Sequence, residues 1–126
     1  MLFRSYRISK EKTDVFAKID APRGVAIDKD GNLLVVSTTK DQVFRVTPEG
    51  KSSVLVPGRP FDFPHQIAVT KDGSAFVTDG YGKCVWKIDE AGKPLKWITD
   101  SRFANPVGLS LSGDKLLVTD SRANAV

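Results

Sequence analysis

An all-β chain of repeated four-stranded units is the fold this sequence predicts, on three observations. A segment of about fifteen residues recurs three times, the apolar stretches are strand-sized, and no window sustains a helical period. The recurring segments open at Pro22, Pro64 and Pro106, 42 residues apart both times. The first runs Pro22-Arg23-Gly24-Val25-Ala26-Ile27, then Asp30-Gly31, then Leu33-Leu34-Val35-Val36-Ser37. The second runs Pro64-His65-Gln66-Ile67-Ala68-Val69, then Asp72-Gly73, then Ala75-Phe76-Val77-Thr78-Asp79. The third runs Pro106-Val107-Gly108-Leu109-Ser110-Leu111, then Leu116-Leu117-Val118-Thr119-Asp120.

Each segment reads as strand, tight turn, strand. Apolar and small residues alternate in Ile67-Ala68-Val69, and Asp72-Gly73 is a hairpin signal. Two further strands follow in each of the first two repeats. They are Val43 to Val46 and Ser53 to Val56, joined by Pro48-Glu49-Gly50-Lys51, then Val85 to Ile88 and Leu95 to Ile98, joined by Glu90-Ala91-Gly92-Lys93. Four short antiparallel strands in about 42 residues make one blade of a β-propeller.

Only Ser121 to Val126 follow the third segment, and the strands it lacks stand at the other end of the chain. Residues 1–8 read as a strand, Ser9 to Lys12 as a polar turn and Val15 to Ile19 as a second strand. From Pro106 through the termini to Pro22 the interval is again 42. The expectation is therefore one half propeller over 1–126, with repeats at 22–63, 64–105, and 106–126 completed by 1–21. Propellers have about 4 to 8 blades, so three blades cannot surround a channel. Two copies can, and the sequence predicts a six-bladed ring formed by a homodimer with strand exchange between termini, which removes the open strand edges.

The composition narrows the function classes. The 19 basic residues are interleaved with acids and leave a net charge of only +4, with no basic run carrying aromatics, so nucleic acid is not an expected partner. Runs such as Leu33 to Val36 fall far short of the ~20 residues of a spanning helix, so no membrane role is expected. Charge at Arg4 and Arg7 comes too early for a signal-peptide core, which reads as a cytoplasmic chain or one trimmed of its targeting segment. Cys84 is the single cysteine, so no intrachain disulfide forms, and its strand neighbours mark it as a small packed residue.

The pattern of Pro, variable residue, Gly, apolar-Ala-apolar, Asp-Gly turn and apolar strand resembles the NHL repeat over nearly the whole chain. The resemblance implies that the residue after each leading proline, here Arg23, His65 and Val107, opens an innermost strand beside the central channel. Phe63-Pro64-His65-Gln66 is similar to the Pro-His stretches of the peptidyl-hydroxyglycine amidating lyases, six-bladed enzymes whose channel histidines hold zinc. Asp79-Gly80-Tyr81 resembles the loop that carries their catalytic tyrosine, which puts Tyr81 at the matching position. Arg23 and Val107 stand where further histidines would be needed, and catalytic zinc normally takes three protein ligands. Pro106-Val107-Gly108-Leu109 with Val118-Thr119-Asp120-Ser121 is similar to the regucalcin and gluconolactonase propellers, but Val107 replaces their metal-binding asparagine. Calcium prefers six to eight oxygen ligands, and valine supplies none. Asp79 and Asp120 read instead as strand-end acids that bond to loop amides.

No Gly-x-Ser-x-Gly elbow and no phosphate-binding loop is present. Arg23, Arg59, Arg102 and Arg122 lie near predicted loops, either as a basic rim that attracts anions or paired locally with Asp62, Asp100 or Asp120. Phe16, Phe44, Phe76, Trp86, Trp97 and Phe103 recur at strand positions and read as core between blades.

The expected function is a non-catalytic binding or scaffold module that takes a small anionic ligand or peptide at the channel mouth through Arg23, His65 and Tyr81, without a cofactor. The alternative is a zinc- or calcium-dependent lyase or lactone hydrolase with His65 as the metal ligand. A third reading is a fragment or engineered piece of a larger propeller with no activity of its own.

Overall fold

A computed structural model of the chain describes residues 4–124 and residue 126. Among them are twelve strands and no helix: β1 (Ser5–Ile8), β2 (Thr13–Ala17), β3 (Pro22–Ile27), β4 (Leu33–Ser37), β5 (Val43–Val46), β6 (Ser52–Val56), β7 (Pro64–Val69), β8 (Ala75–Asp79), β9 (Cys84–Ile88), β10 (Pro94–Thr99), β11 (Pro106–Ser112) and β12 (Lys115–Asp120). The strand expected over residues 1–8 is present from Ser5; residues 1–3 lie outside the described part.

The strands form four antiparallel sheets. Two are complete meanders, β3-β4-β5-β6 and β7-β8-β9-β10, and two are hairpins, β1-β2 and β11-β12. The inner strands β3, β7 and β11 lie side by side. Leu34, Val36, Val43 and Val56 of the first blade interlock with Ile67, Ala75, Val77 and Ile88 of the second, and Phe61 from the β6–β7 loop joins them. This interface is the main core. A second cluster seats Phe16, Ala17 and Ile19, from β2 and its exit, against Val35 and Val46 on the opposite face of the first blade.

Local chemistry sets the turns. Thr70 N bonds Ser74 O at 2.8 Å and Gly73 N bonds Thr70 O at 3.0 Å, a three-residue loop whose last position is left-handed, with Gly73 at φ 88°. The Asp-Gly pair thus fills the end of a longer loop rather than forming the whole turn. The third hairpin is shorter by one residue, because Ser112 pairs Lys115 directly across Gly113 and Asp114.

Trp97 departs from its expected place. It touches Phe76, with ring centroids 4.8 Å apart, but 44% of it is exposed, because the two-stranded third blade does not reach far enough to cover it.

Candidate functional site

Each inner strand slips register immediately after its leading proline. The shift lies between Pro22 and Val25, between Pro64 and Ile67, and between Pro106 and Leu109. A bulge releases its extra residues from ladder pairing and re-aims their side chains. The side chains released are Arg23, His65 and Val107, and they line one open cavity of about 450 Å³ together with Pro22, Gln66 and Gly108.

Arg23 and His65 touch, with Arg23 Nη2 3.0 Å from His65 Nδ1. A guanidinium only donates, so Nδ1 accepts and the imidazole proton resides on Nε2. The Arg23 guanidinium also stands 5.0 Å over the Phe63 ring, a cation–π arrangement. Phe63 meets His65 edge-on at 5.0 Å and lies against Tyr81 at 5.0 Å. Tyr81, 63% exposed, therefore joins the other two candidates through Phe63 rather than by direct contact.

Two glycines shape the Tyr81 loop. A Cβ on Gly80 would clash with Asn105 Oδ1 and lie 2.6 Å from His65 Nε2, and one on Gly82 would lie 2.5 Å from Asp79 Oδ2. Only bare α-carbons allow that approach with these side chains in place, and Tyr81 between the two glycines is exposed. Asn105 Oδ1 is buried without a hydrogen-bond partner among the described residues, while its amide nitrogen donates to Ser121 Oγ at 2.8 Å.

Gln66 lines the cavity and Phe63 meets Arg23, His65 and Tyr81, although neither was singled out as a site residue from the sequence. The available signal was variation within the repeat, since Phe63 and Asn105 occupy the equivalent position, held by Ala21 in the first repeat.

Burial and the adjacent Arg23 charge hold His65 below its ordinary 6.5, against a weaker opposite pull from Asp79. The folded value lies below the unfolded one, so the unfolded chain takes up a proton first as pH falls. The stability linked to His65 is complete above about 6.5 and declines below it. Nitrogen-detected NMR should show an Nε2-protonated ring that titrates below 6.5, and Arg23→Gln should raise that value. An Nδ1-protonated ring would contradict the contact.

Asp79 and Asp120 do bond loop amides. Asp79 accepts from Asp62 N, Phe63 N, Gly82 N and Trp86 Nε1 at 2.8 to 3.1 Å. Asp120 accepts from Ala104 N, Asn105 N, Arg122 N and Ala123 N at 2.8 to 3.1 Å. Burial opposes the Asp120 charge, yet the four amides together lower its pKa. Both carboxylates are occupied in holding the loops.

The expected arginine rim separates into different roles. Arg102 pairs with Asp100 at 2.7 Å, and Arg59 donates to the Thr38 and Thr39 carbonyls. Arg23 alone of the four lines the cavity it shares with His65 and Val107. Cys84 is fully buried, and burial followed by the Asp79 charge pushes its thiol up to about 11, which leaves it unreactive. Among the described residues no three His, Cys, Asp or Glu side chains gather as a metal site.

Comparison with solved structures places this architecture. A calcium-binding regucalcin from Agrobacterium tumefaciens superposes with a TM-score of 0.79 at 18% identity, over 93% of this chain and 44% of that one. The nidogen/laminin complex gives 0.78 at 19% identity, over 94% and 52%. The chain has the β-propeller fold. An inactive variant of virginiamycin B lyase from Staphylococcus aureus, bound to quinupristin, gives 0.78 at 18% identity, over 90% and 40%. This propeller chain spans about half the length of these structures or less, and at such identities the likeness is one of fold. No family model and no curated protein matches the sequence.

Proposed function

We propose that this chain is a non-catalytic binding module of NHL type that captures a small anionic ligand or an acidic peptide at the channel mouth, within a six-bladed ring made by two copies. The observation that carries the reading is Arg23. Its guanidinium faces an open cavity, held by a neutral imidazole and an aromatic ring, and no carboxylate lies within salt-bridge distance among the described residues. One nitrogen engages His65, and the remaining donors can serve a carboxylate or phosphate, which guanidinium binds in a two-pronged fashion. Gln66 adds a neutral amide to the lining, and Tyr81 and Phe63 offer ring faces beside it.

The same contact weighs against a metal-dependent lyase or lactone hydrolase. A metal-bound histidine usually donates its second ring N–H to an acceptor, whereas His65 receives a cationic donor on Nδ1 and has its proton on Nε2. Calorimetric titration with inorganic phosphate, citrate and a poly-glutamate peptide tests the reading. At least one should bind, and Arg23→Gln should weaken it about tenfold or more, as expected for a lost charge-assisted hydrogen bond. Binding indifferent to Arg23→Gln, or one zinc per chain that disappears in His65→Ala, would reverse the assignment.

A further inference from the structure

The β1-β2 hairpin has two unlike faces. One carries Phe16 and is packed against the first blade. On the other, Tyr6, Ile8 and Val15 are 57%, 77% and 44% exposed, and Tyr6 and Val15 are cross-strand partners, so the patch is continuous.

At the far side of the molecule a matching groove is open. Val56 is 1% exposed in the interface between the first two blades, while its equivalent one repeat later, Ile98, is 39% exposed. Val85, Trp97, Ile98, Phe103, Leu116 and Val118 border a cavity of about 370 Å³. It adjoins a second cavity of about 610 Å³, which also borders Phe103 and Val118. Among the described residues β12 pairs only with β11, and β1 only with β2.

We infer that the groove beside β12 is the seat of the β1-β2 hairpin of a second copy. That β1 runs antiparallel along β12, as β5 runs along β4 and β9 along β8 in the complete blades. Tyr6, Ile8 and Val15 then cover Trp97, Ile98 and Phe103. Two-fold symmetry repeats the contact, and each β11-β12 hairpin enters the reciprocal gap of about 350 Å³ beside Val25, Leu33 and Val35. Three features select this occupant. Among the described residues the hairpin has an exposed apolar face on a two-stranded sheet, its edge strand lacks the partner that β12 also lacks, and its other face already serves as the next layer on a blade. The inference rests on the two-copy ring proposed above.

Light scattering at micromolar concentration should give twice the 13.8 kDa chain mass. Ile8→Glu with Val15→Glu changes exposed side chains, so each chain should fold as before while dimer affinity falls at least about a hundredfold, since the seat would bury unpaired charge. Tyr6→Cys with Ile98→Cys should yield a disulfide-linked dimer on a non-reducing gel, with buried Cys84 a bystander. A wild-type protein of single-chain mass would overturn both the seat and the two-copy ring. A dimer unmoved by the glutamates and not cross-linked by the cysteine pair would overturn the seat alone.

Discussion

Asp79→Ala is expected to cost about 4 kcal/mol of folding stability, a large part of the ~5–15 kcal/mol that holds a domain together. Asp79 is 1% exposed and gathers four donors from three places: the β6–β7 loop at Asp62 and Phe63, the β8–β9 turn at Gly82, and the indole of Trp86. Alanine leaves those donors facing a small cavity, and each orphaned donor in a dry site costs about 1–3 kcal/mol. Some will reach water, which keeps the total below their sum. Asp79→Asn separates charge from shape, because its amide nitrogen must confront a donor wherever it is turned. It should therefore recover only part of the loss. Asp120→Ala is the internal comparison, with four donors that lie in the more exposed segments around Ala104 and Arg122. It should cost roughly half as much. Urea denaturation of the three variants measures this, and an Asp79→Ala protein within about 1 kcal/mol of wild type would show that its carboxylate is not a keystone.

The blades were legible because propeller repeats write both of their periods into the chain. Proline spacing marks the blade, alternation marks the strand, and glycine at Gly31, Gly50, Gly73 and Gly92 marks the turns, all four of which adopt positive φ. The missing residue in the third hairpin was less visible, since Pro106 keeps the spacing of 42 while only the distance from Pro106 to Asp120 shortens. Trp97, expected as core between blades, is 44% exposed in the single chain, because its strand pattern does not encode whether a neighbouring sheet arrives to cover it.

In the cavity they share, the sequence singled out Arg23 and His65 because a repeat defines equivalent positions. It could not find the relation between them. That relation depends on the register slips after the prolines, which bring side chains 42 residues apart to 3.0 Å, and on Phe63, whose ring is shared by Arg23, His65 and Tyr81. Nor does a lone histidine declare its tautomer. Only the donor on Nδ1 does, and it leaves the ring proton on Nε2.

Gly24→Ala should damage both the fold and the mouth. Gly24 requires no unusual φ; what it requires is closeness, because a Cβ there would lie 2.6 Å from Gln66 Cα and 2.7 Å from His65 O. Those are backbone atoms of β7, and they cannot swing aside as a side-chain end could. One methyl group must therefore push β3 away from β7, with a cost of about 3 kcal/mol or more from overpacking at a strand-to-strand contact. Gly58→Ala is the control, since its Cβ would meet nothing within 4 Å although φ is 72°. It should lose only about 1 kcal/mol from backbone strain. The more telling readout is His65. Separating the two inner strands pulls Arg23 off Nδ1, so the imidazole should titrate closer to 6.5, as in Arg23→Gln, even though the arginine is still present. Arg23→Gln changes an exposed side chain and should show that signature with little loss of stability. If Gly24→Ala instead unfolds more readily while leaving the His65 titration untouched, then blade spacing and mouth geometry are independent, and Arg23 is held by Phe63 alone.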